Sequence, residues 1–336
     1  MKKGIFFFVI TIIIISCKIP NANSNKALLV LGKQLFYERA LSANNTKSCA
    51  SCHHPKYAFT DGYKQSIGAY GDILQHNSRP LFNLTGNPNY TYTDSSLHTL
   101  TQQMQHPMYN TKPPELGING MQLVVEKRIQ QNLNYKQQFA QQHLPITMAS
   151  IQAAIAAYIS NITSYNAPYD KFIAGDSTLL TTTQKQGLKL FYSTRTNCSS
   201  CHGGGNFNTP TYKNMDSSIN YYYNTGLYNS EGKNNYATNN LGLQQHTGNP
   251  KDNGRYNVPT LRNLGYTAPY YHNGSEPSLL QVLQNYNQGG RILPNSNGVT
   301  NKLKHLAIKP LGLNKSELLS LYSFLQSLND STIVTQ

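Results

Sequence analysis

Apolar residues in this chain recur mostly every three or four positions, the period of a helix with one buried face. Thr147 to Tyr165 carries Ile151, Ala154, Ile155, Tyr158 and Ile159 on one such face, and Ile118 to Leu133 is amphipathic in the same way. Two segments are degenerate copies of one another, Gly32-Lys33-Gln34-Leu35-Phe36-Tyr37 and Gly187-Leu188-Lys189-Leu190-Phe191-Tyr192. Each lies on an apolar-periodic stretch that predicts a helix. Capping patterns mark further helix starts. Thr181 with Gln184 reads as a capping box, as does Asn314 with Glu317 ahead of a last helix, Lys315 to Leu328. Ser275 followed by Glu276-Pro277 predicts an N-cap with proline in the first turn, opening a helix to about Tyr286. Strand signals are weak. Gly-, Asn- and Tyr-rich stretches at 54–96 and 203–258 predict long loops, a length that usually serves a function.

The N-terminus departs from this pattern. Met1-Lys2-Lys3 precedes an apolar run from Ile5 to Ile15. A charged start and a short apolar core read as a secretory signal, because a bilayer span needs about 20 apolar residues. Ile14-Ile15-Ser16-Cys17 resembles a lipobox, with cleavage before Cys17 and lipidation of its thiol. The expected product is a periplasmic or cell-surface lipoprotein tethered to a membrane through Cys17. About 320 mature residues suggest two domains. The expected division is a signal at 1–16, an N-terminal domain at 17–172 and a C-terminal domain at 173–336, with the boundary region around Pro168 and Gly175. The formal charge of +14 favours an acidic partner or an anionic membrane face. No basic run or nucleic-acid motif accompanies it, so nucleic acid is not an expected partner.

Cysteine usage changes the picture most. Besides Cys17, the chain has four cysteines, in Cys49-Ala50-Ser51-Cys52-His53 and Cys198-Ser199-Ser200-Cys201-His202. Each is a C-x-x-C-H motif, the attachment signature of c-type haem. Paired cysteines also bind zinc. Here a histidine follows each pair directly and about 145 residues separate the pairs, so the haem reading is preferred. Cys49, Cys52, Cys198 and Cys201 would carry two covalent haems, with His53 and His202 as proximal iron ligands. A helix, a loop and then C-x-x-C-H is how cytochrome c domains begin. The expected fold is therefore mainly α, two cytochrome c-like domains each built around one covalently bound c-type haem. An open distal position on the iron suits peroxide or oxygen, and a filled one suits electron transfer.

Longer stretches carry a resemblance. They are Leu31-Gly32-Lys33-x-Leu35-Phe36, Ser48 to Pro55 with Ala58-Phe59-Thr60-Asp61-Gly62, and Leu100-Thr101-Gln102-Gln103 running to Pro107. Val258-Pro259-Thr260-Leu261-Arg262-Asn263 and Thr267-Ala268-Pro269-Tyr270-Tyr271-His272-Asn273-Gly274 follow. Over nearly the whole mature chain the sequence resembles the bacterial di-haem cytochrome c peroxidase family, which includes the MauG-like branch.

The resemblance implies reduction of hydrogen peroxide at the N-terminal haem, with Glu115 as acid–base and Gln103 orienting peroxide. It implies that electrons arrive from a small donor, a cytochrome c, a cupredoxin or a quinol-linked carrier, through the C-terminal haem. Ala69 stands where some relatives carry a closing distal histidine, so the first haem is expected to be open. His76, seven residues on, is the alternative closing group. Tyr286 stands at the distal-ligand position of the second haem, as in the MauG-like branch, and no methionine follows Met215. Thr93 matches a relay tryptophan, and the chain has no Trp. Tyr92 is the substitute relay candidate. Asn77, Thr267 and Pro269 match a calcium site, calcium favouring oxygen ligands. His272 is expected beside the iron's ligands rather than among them, and His246 and His305 have no assigned role. Relatives dimerise, so a homodimer is an expectation. Two other roles compete: MauG-like oxidation of a partner protein's side chains, and a non-enzymatic di-haem electron carrier or peroxide sensor.

Overall fold

The structure, a computed structural model, describes residues 22–87, 89–211, 221–227, 240–291 and 302–336. Cys17 lies outside them. Helices run α1 Ala22–Tyr37, α2 Leu100–Gln103, α3 Gln105–Tyr109, α4 Gln122–Gln131, α5 Leu133–Gln141 and α6 Met148–Ser160. They continue as α7 Pro168–Ile173, α8 Thr182–Phe191, α9 Gln244–Thr247, α10 Leu279–Asn287 and α11 Lys315–Gln326. Among the described residues the sheet content is one antiparallel pair, β1 Tyr222–Tyr223 with β2 Tyr256–Asn257. The fold is helix-rich, as the periodicity predicts.

The sequence repeat becomes two equivalent helix crossings. In the first half α1 packs on α6, and in the second α8 packs on α11. Gly32 faces the backbone carbonyl of Ala154 so closely that a β-carbon there would overlap it, and Gly187 meets the carbonyl of Ser320 in the same way. Glycine at these positions lets the two helix backbones touch. One turn further, Phe36 meets Tyr158 edge-on at 5.3 Å, and Phe191 packs on Phe324 at 5.2 Å. Each crossing anchors its own apolar core. The cores are not strictly sequential. Ile333 and Val334, at the chain's end, pack into the first, and Tyr169 of α7 packs into the second against Phe207 and Phe324.

Caps set most boundaries. Thr181 and Gln184 cap α8 reciprocally, as do Asn314 and Glu317 for α11, where Arg195 also pairs with Glu317 at 2.6 Å. The expected 118–133 helix is shorter, α4 alone, because the Asn132 side chain accepts from the backbone of Asn134 and Tyr135 and starts α5 beyond it. The helix before Tyr286 begins at Leu279, with Ser278 rather than Ser275 as its cap. Ser275 is occupied otherwise, its hydroxyl accepting from Arg291 at 2.9 Å, while Glu276 is bridged to Tyr270.

One buried ion pair ties the second half together. Arg262 is 2% exposed and grips Asp170 of α7 through two hydrogen bonds of 2.7 and 2.9 Å. Its Nε donates to the carbonyl of Gly205, just beyond the second C-x-x-C-H motif, at 2.8 Å.

Candidate functional site

Both C-x-x-C-H motifs fold as single 3-10 turns, Cys49–Ser51 and Cys198–Ser200, in which the histidine amide reaches back to the first cysteine carbonyl at 3.0 and 2.9 Å. This places two thiols and an imidazole on one short loop. What orients each imidazole lies further along. His53 Nδ1 sits 3.0 Å from the carbonyl of Phe59, and His202 Nδ1 sits 3.1 Å from that of Phe207. Donation from Nδ1–H to a carbonyl leaves Nε2 as the free lone pair, the form that binds a metal. Burial pushes both histidines below the usual range, which keeps them neutral ligands. Phe59 and Phe207 adopt left-handed backbone, φ +61° and +52°. That conformation is uncommon for a bulky residue and turns the loop back on itself to present the carbonyl. Ser78 adds a further brace, donating to the Cys52 carbonyl at 2.5 Å and lying 3.3 Å from His53 Nδ1.

Around the first motif, the segment bearing Glu115 lies alongside α3, since Leu116 N–H donates to Pro107 O at 2.8 Å. Gln103 ends α2 just before α3, so both predicted residues belong to this region. Burial raises the Glu115 carboxyl to about 7. Its charge, after burial itself and Asp61, helps push the Cys52 thiol up to about 11, which places Glu115 on the side of the attachment cysteines. Ala69 donates its N–H to the Glu115 carbonyl at 2.7 Å, and its own carbonyl is held by Asn44 at 2.7 Å. The loop where a closing histidine would stand is thus pinned against Glu115 and carries only a methyl group. His76 is committed elsewhere. Its ring packs between Tyr92, Tyr256 and His272 at 5.4, 6.2 and 5.9 Å, and burial pushes it down to about 4.

The second motif opens into a mainly apolar cavity lined by Cys198, Cys201, His202 and Tyr286. Burial first, then Tyr271 and the two attachment cysteines, push the Tyr286 phenol well above its ordinary value, so its hydroxyl shares the cavity with those thiols. Both places therefore fit a c-type haem, with paired thiols, a neutral oriented imidazole and, at the second, an enclosed apolar chamber. Asn77, Thr267 and Pro269 line the same cavity. Asn77 is buried, its N–H donating to the His272 carbonyl at 2.8 Å and its side chain to the Tyr63 carbonyl at 2.7 Å. Among the described residues no group of three His, Cys, Asp or Glu side chains is arranged to hold a metal ion.

Between the motifs the structure separates Tyr92 from Thr93. Tyr92 lines the cavity, its phenol pushed up to about 12 by burial. Thr93 turns instead to His246, Oγ1 to Nε2 at 3.2 Å, and His246 Nδ1 and His106 Nε2 both face Asp94 Oδ2, at 3.5 and 3.7 Å. His272 is buried and stacks flat on Tyr256, 3.5 Å between centroids, while Tyr256 donates to Asn240 Oδ1 at 2.5 Å. His305 packs edge-on to Tyr223 at 4.9 Å. Sequence reasoning missed Phe59, Phe207, Ser78 and Tyr256. Only the first two carried a signal, as an aromatic six and five residues after each motif histidine.

Comparisons with known proteins agree with this geometry. The sequence model of the family described as di-haem cytochrome c peroxidase matches residues 26–178. The chain is 31% identical over 331 residues to cytochrome-c peroxidase IdrP2 of Denitromonas iodatirespirans, covering 93% of this chain and 84% of the relative. It is 28% identical over 200 residues to methylamine utilization protein MauG of Methylorubrum extorquens, covering 58% of this chain and 55% of that one. A crystal structure of a MauG-like protein associated with microbial copper homeostasis superposes with a TM-score of 0.85 at 31% identity, covering 92% of this chain and 91% of that one.

Proposed function

The chain belongs to the di-haem cytochrome c peroxidase family, and from that premise we propose that it reduces hydrogen peroxide at the Cys49-Cys52-His53 site with Glu115 as its acid–base. It is an oxidoreductase of the peroxidase type. Haem iron, when bound, supplies the centre at which peroxide accepts two electrons. The chain's own residues hold that centre and manage protons. His53 and His202 present Nε2, with Nδ1 engaged by the Phe59 and Phe207 carbonyls. Reduction of one peroxide to two waters takes up two protons, and splitting the O–O bond requires one to pass from the inner oxygen to the departing one. A carboxyl at about 7 can accept and return that proton at neutral pH. Gln103 orients the peroxide. This elevated Glu115, next to a loop with no imidazole at position 69, is the observation that carries the proposal.

Tyr286 would help His202 hold the second haem, and its strongly raised phenol would ionise only against a bound cation. Tyr92 serves as the electron relay between the sites, because it lines the second cavity and Thr93 is engaged by His246. Asn77, Thr267 and Pro269 are the candidate calcium ligands, all able to offer neutral oxygens and all on the lining of this cavity. A small periplasmic donor delivers electrons to a chain anchored through Cys17, and the basic charge, +14 for the full sequence including Lys2 and Lys3 of the signal, suits an acidic donor. No helix among the described residues is long and apolar enough to cross a membrane. A homodimer remains part of the proposal.

A second reading is oxidation of a partner protein's side chains. Tyr286 and the 31% identity to a MauG-like protein favour it. One experiment separates the two. The purified ferric, haem-loaded protein is mixed with peroxide and a ferrous small cytochrome. Rapid multiple turnover without prior reduction supports the peroxidase. Slow turnover with a persistent peroxide-induced spectrum supports partner oxidation. No reaction with peroxide refutes an open first site.

A further inference from the structure

Among the described residues, the enclosed guanidinium of Arg79 has no carboxylate partner. Arg79 directly follows Ser78, the brace of the His53 imidazole. Its guanidinium lies over the Tyr92 ring, 5.0 Å from the centroid, and Nη2 donates to Asn257 Oδ1 at 2.9 Å. Nη1 is enclosed and has no hydrogen-bond partner among the described residues. Burial pushes the guanidinium below its ordinary value, and the charges that act on it are the Tyr92 and Tyr222 phenols. The carboxylates of this neighbourhood are engaged elsewhere. Asp61 accepts from Ser66 and from Tyr63 N–H, and Asp94 accepts from Ser96 and faces His106 and His246.

Enclosing a positive charge this way is costly unless an anion compensates it. The surroundings say where that anion comes from. Ser78 and Pro80, on either side in sequence, Tyr92 beneath the guanidinium and Asn257 on its Nη2 all line the cavity of the Cys198-Cys201-His202 site. A haem brings its own carboxylates, the two propionates on its edge. We infer that Arg79 is the binding site for a propionate carboxylate of the haem held at Cys198, Cys201 and His202. The inference rests on the haem assignment argued above. The carboxylate takes the free guanidinium donors as charge-assisted hydrogen bonds, and the buried cation keeps it ionised. Arg79 is thus a positioning residue that sets the charge at the haem edge.

The neighbours make this testable by pH. Burial pushes His76 down to about 4 and His272 well below its ordinary value, holds Tyr92 up at about 12 and Tyr222 above its range, and lowers His305 on the cavity lining. These groups are common to wild type and both variants, so the difference between the profiles reads the propionate. The second haem's midpoint potential is measured by spectroelectrochemical titration over that interval in wild type, Arg79→Gln and Arg79→Lys. Covalent haem is counted first by the alkaline pyridine spectrum. Wild type is expected to be flat with pH. Arg79→Gln is expected to have a lower potential at pH 8, because the cation that favours the added electron is gone. Its potential should also rise towards pH 5 as the unpaired propionate protonates. Arg79→Lys should restore most of the wild-type value and its flatness. An Arg79→Gln potential matching wild type at every pH overturns the inference, as does Arg79→Lys displaced as far as Arg79→Gln. A protein with no covalent haem overturns the haem assignment itself, an outcome separated from the others before any potential is measured.

Discussion

Glu115→Gln should trade activity for stability, and the two effects have opposite signs for one reason. Burial holds the Glu115 carboxyl at about 7 instead of the ordinary 4.5. The folded protein therefore binds a proton that the unfolded chain has released across this interval. Stability contributed by the protonated form is complete below about pH 4.5 and is lost as pH rises through about 7. At 1.36 kcal/mol per pH unit the loss reaches at most about 3 kcal/mol by pH 8, an upper bound because Glu115 is only half-buried and solvent screens it. Glutamine is neutral at every pH and escapes this cost. Urea unfolding of the ferric holoprotein should give wild type and Glu115→Gln similar stability at pH 4.5, and the variant the advantage at pH 8. Peroxide-dependent oxidation of a ferrous cytochrome should move the other way. Removing a positioned acid–base slows turnover by roughly 10²–10⁴-fold. A variant turning over within threefold of wild type at neutral pH would refute the catalytic role. A stability difference that does not change with pH would refute the burial argument, whatever the activity does.

Other outcomes follow from the same geometry. Tyr286→Phe should convert the second haem from low spin to high spin in the electron paramagnetic resonance spectrum, and an unchanged spectrum removes Tyr286 as its ligand. Arg262→Leu should destabilise by roughly 3 kcal/mol, because the partly buried Asp170 carboxylate loses both guanidinium bonds and keeps only the Ala167 amide. The double variant with Asp170→Leu should recover part of that loss in denaturant titration, and a double variant no more stable than Arg262→Leu would contradict it.

The chemistry of the attachment loops was legible from sequence because it is local. Two thiols and an imidazole within five residues need no tertiary partner to declare their role. The cap pairs Thr181 with Gln184 and Asn314 with Glu317 were legible for the same reason, since each hydrogen bond closes within one turn. Local signals failed where a side chain had a distant competitor. Ser275 has the pattern of a cap, but Arg291 takes its hydroxyl. His76 stands in sequence where it could close the first site, yet its ring is held by Tyr92, Tyr256 and His272. Tyr286 is one of 24 tyrosines, and only the folded cavity brings its phenol to the second pair of cysteines.

By itself, then, the sequence determined the two C-x-x-C-H motifs, the helical class and the paired glycines of the internal repeat. These depend on residue type and spacing along one strand of chain. Tertiary structure alone decided which carbonyls orient the two imidazoles, how the loop at Ala69 is pinned against Glu115, and which ring the Arg79 guanidinium covers. Each of these is a relation between segments far apart in sequence. Its energy comes from burial, which raises Glu115 and lowers His76 and Arg79, and burial does not exist until the chain has folded.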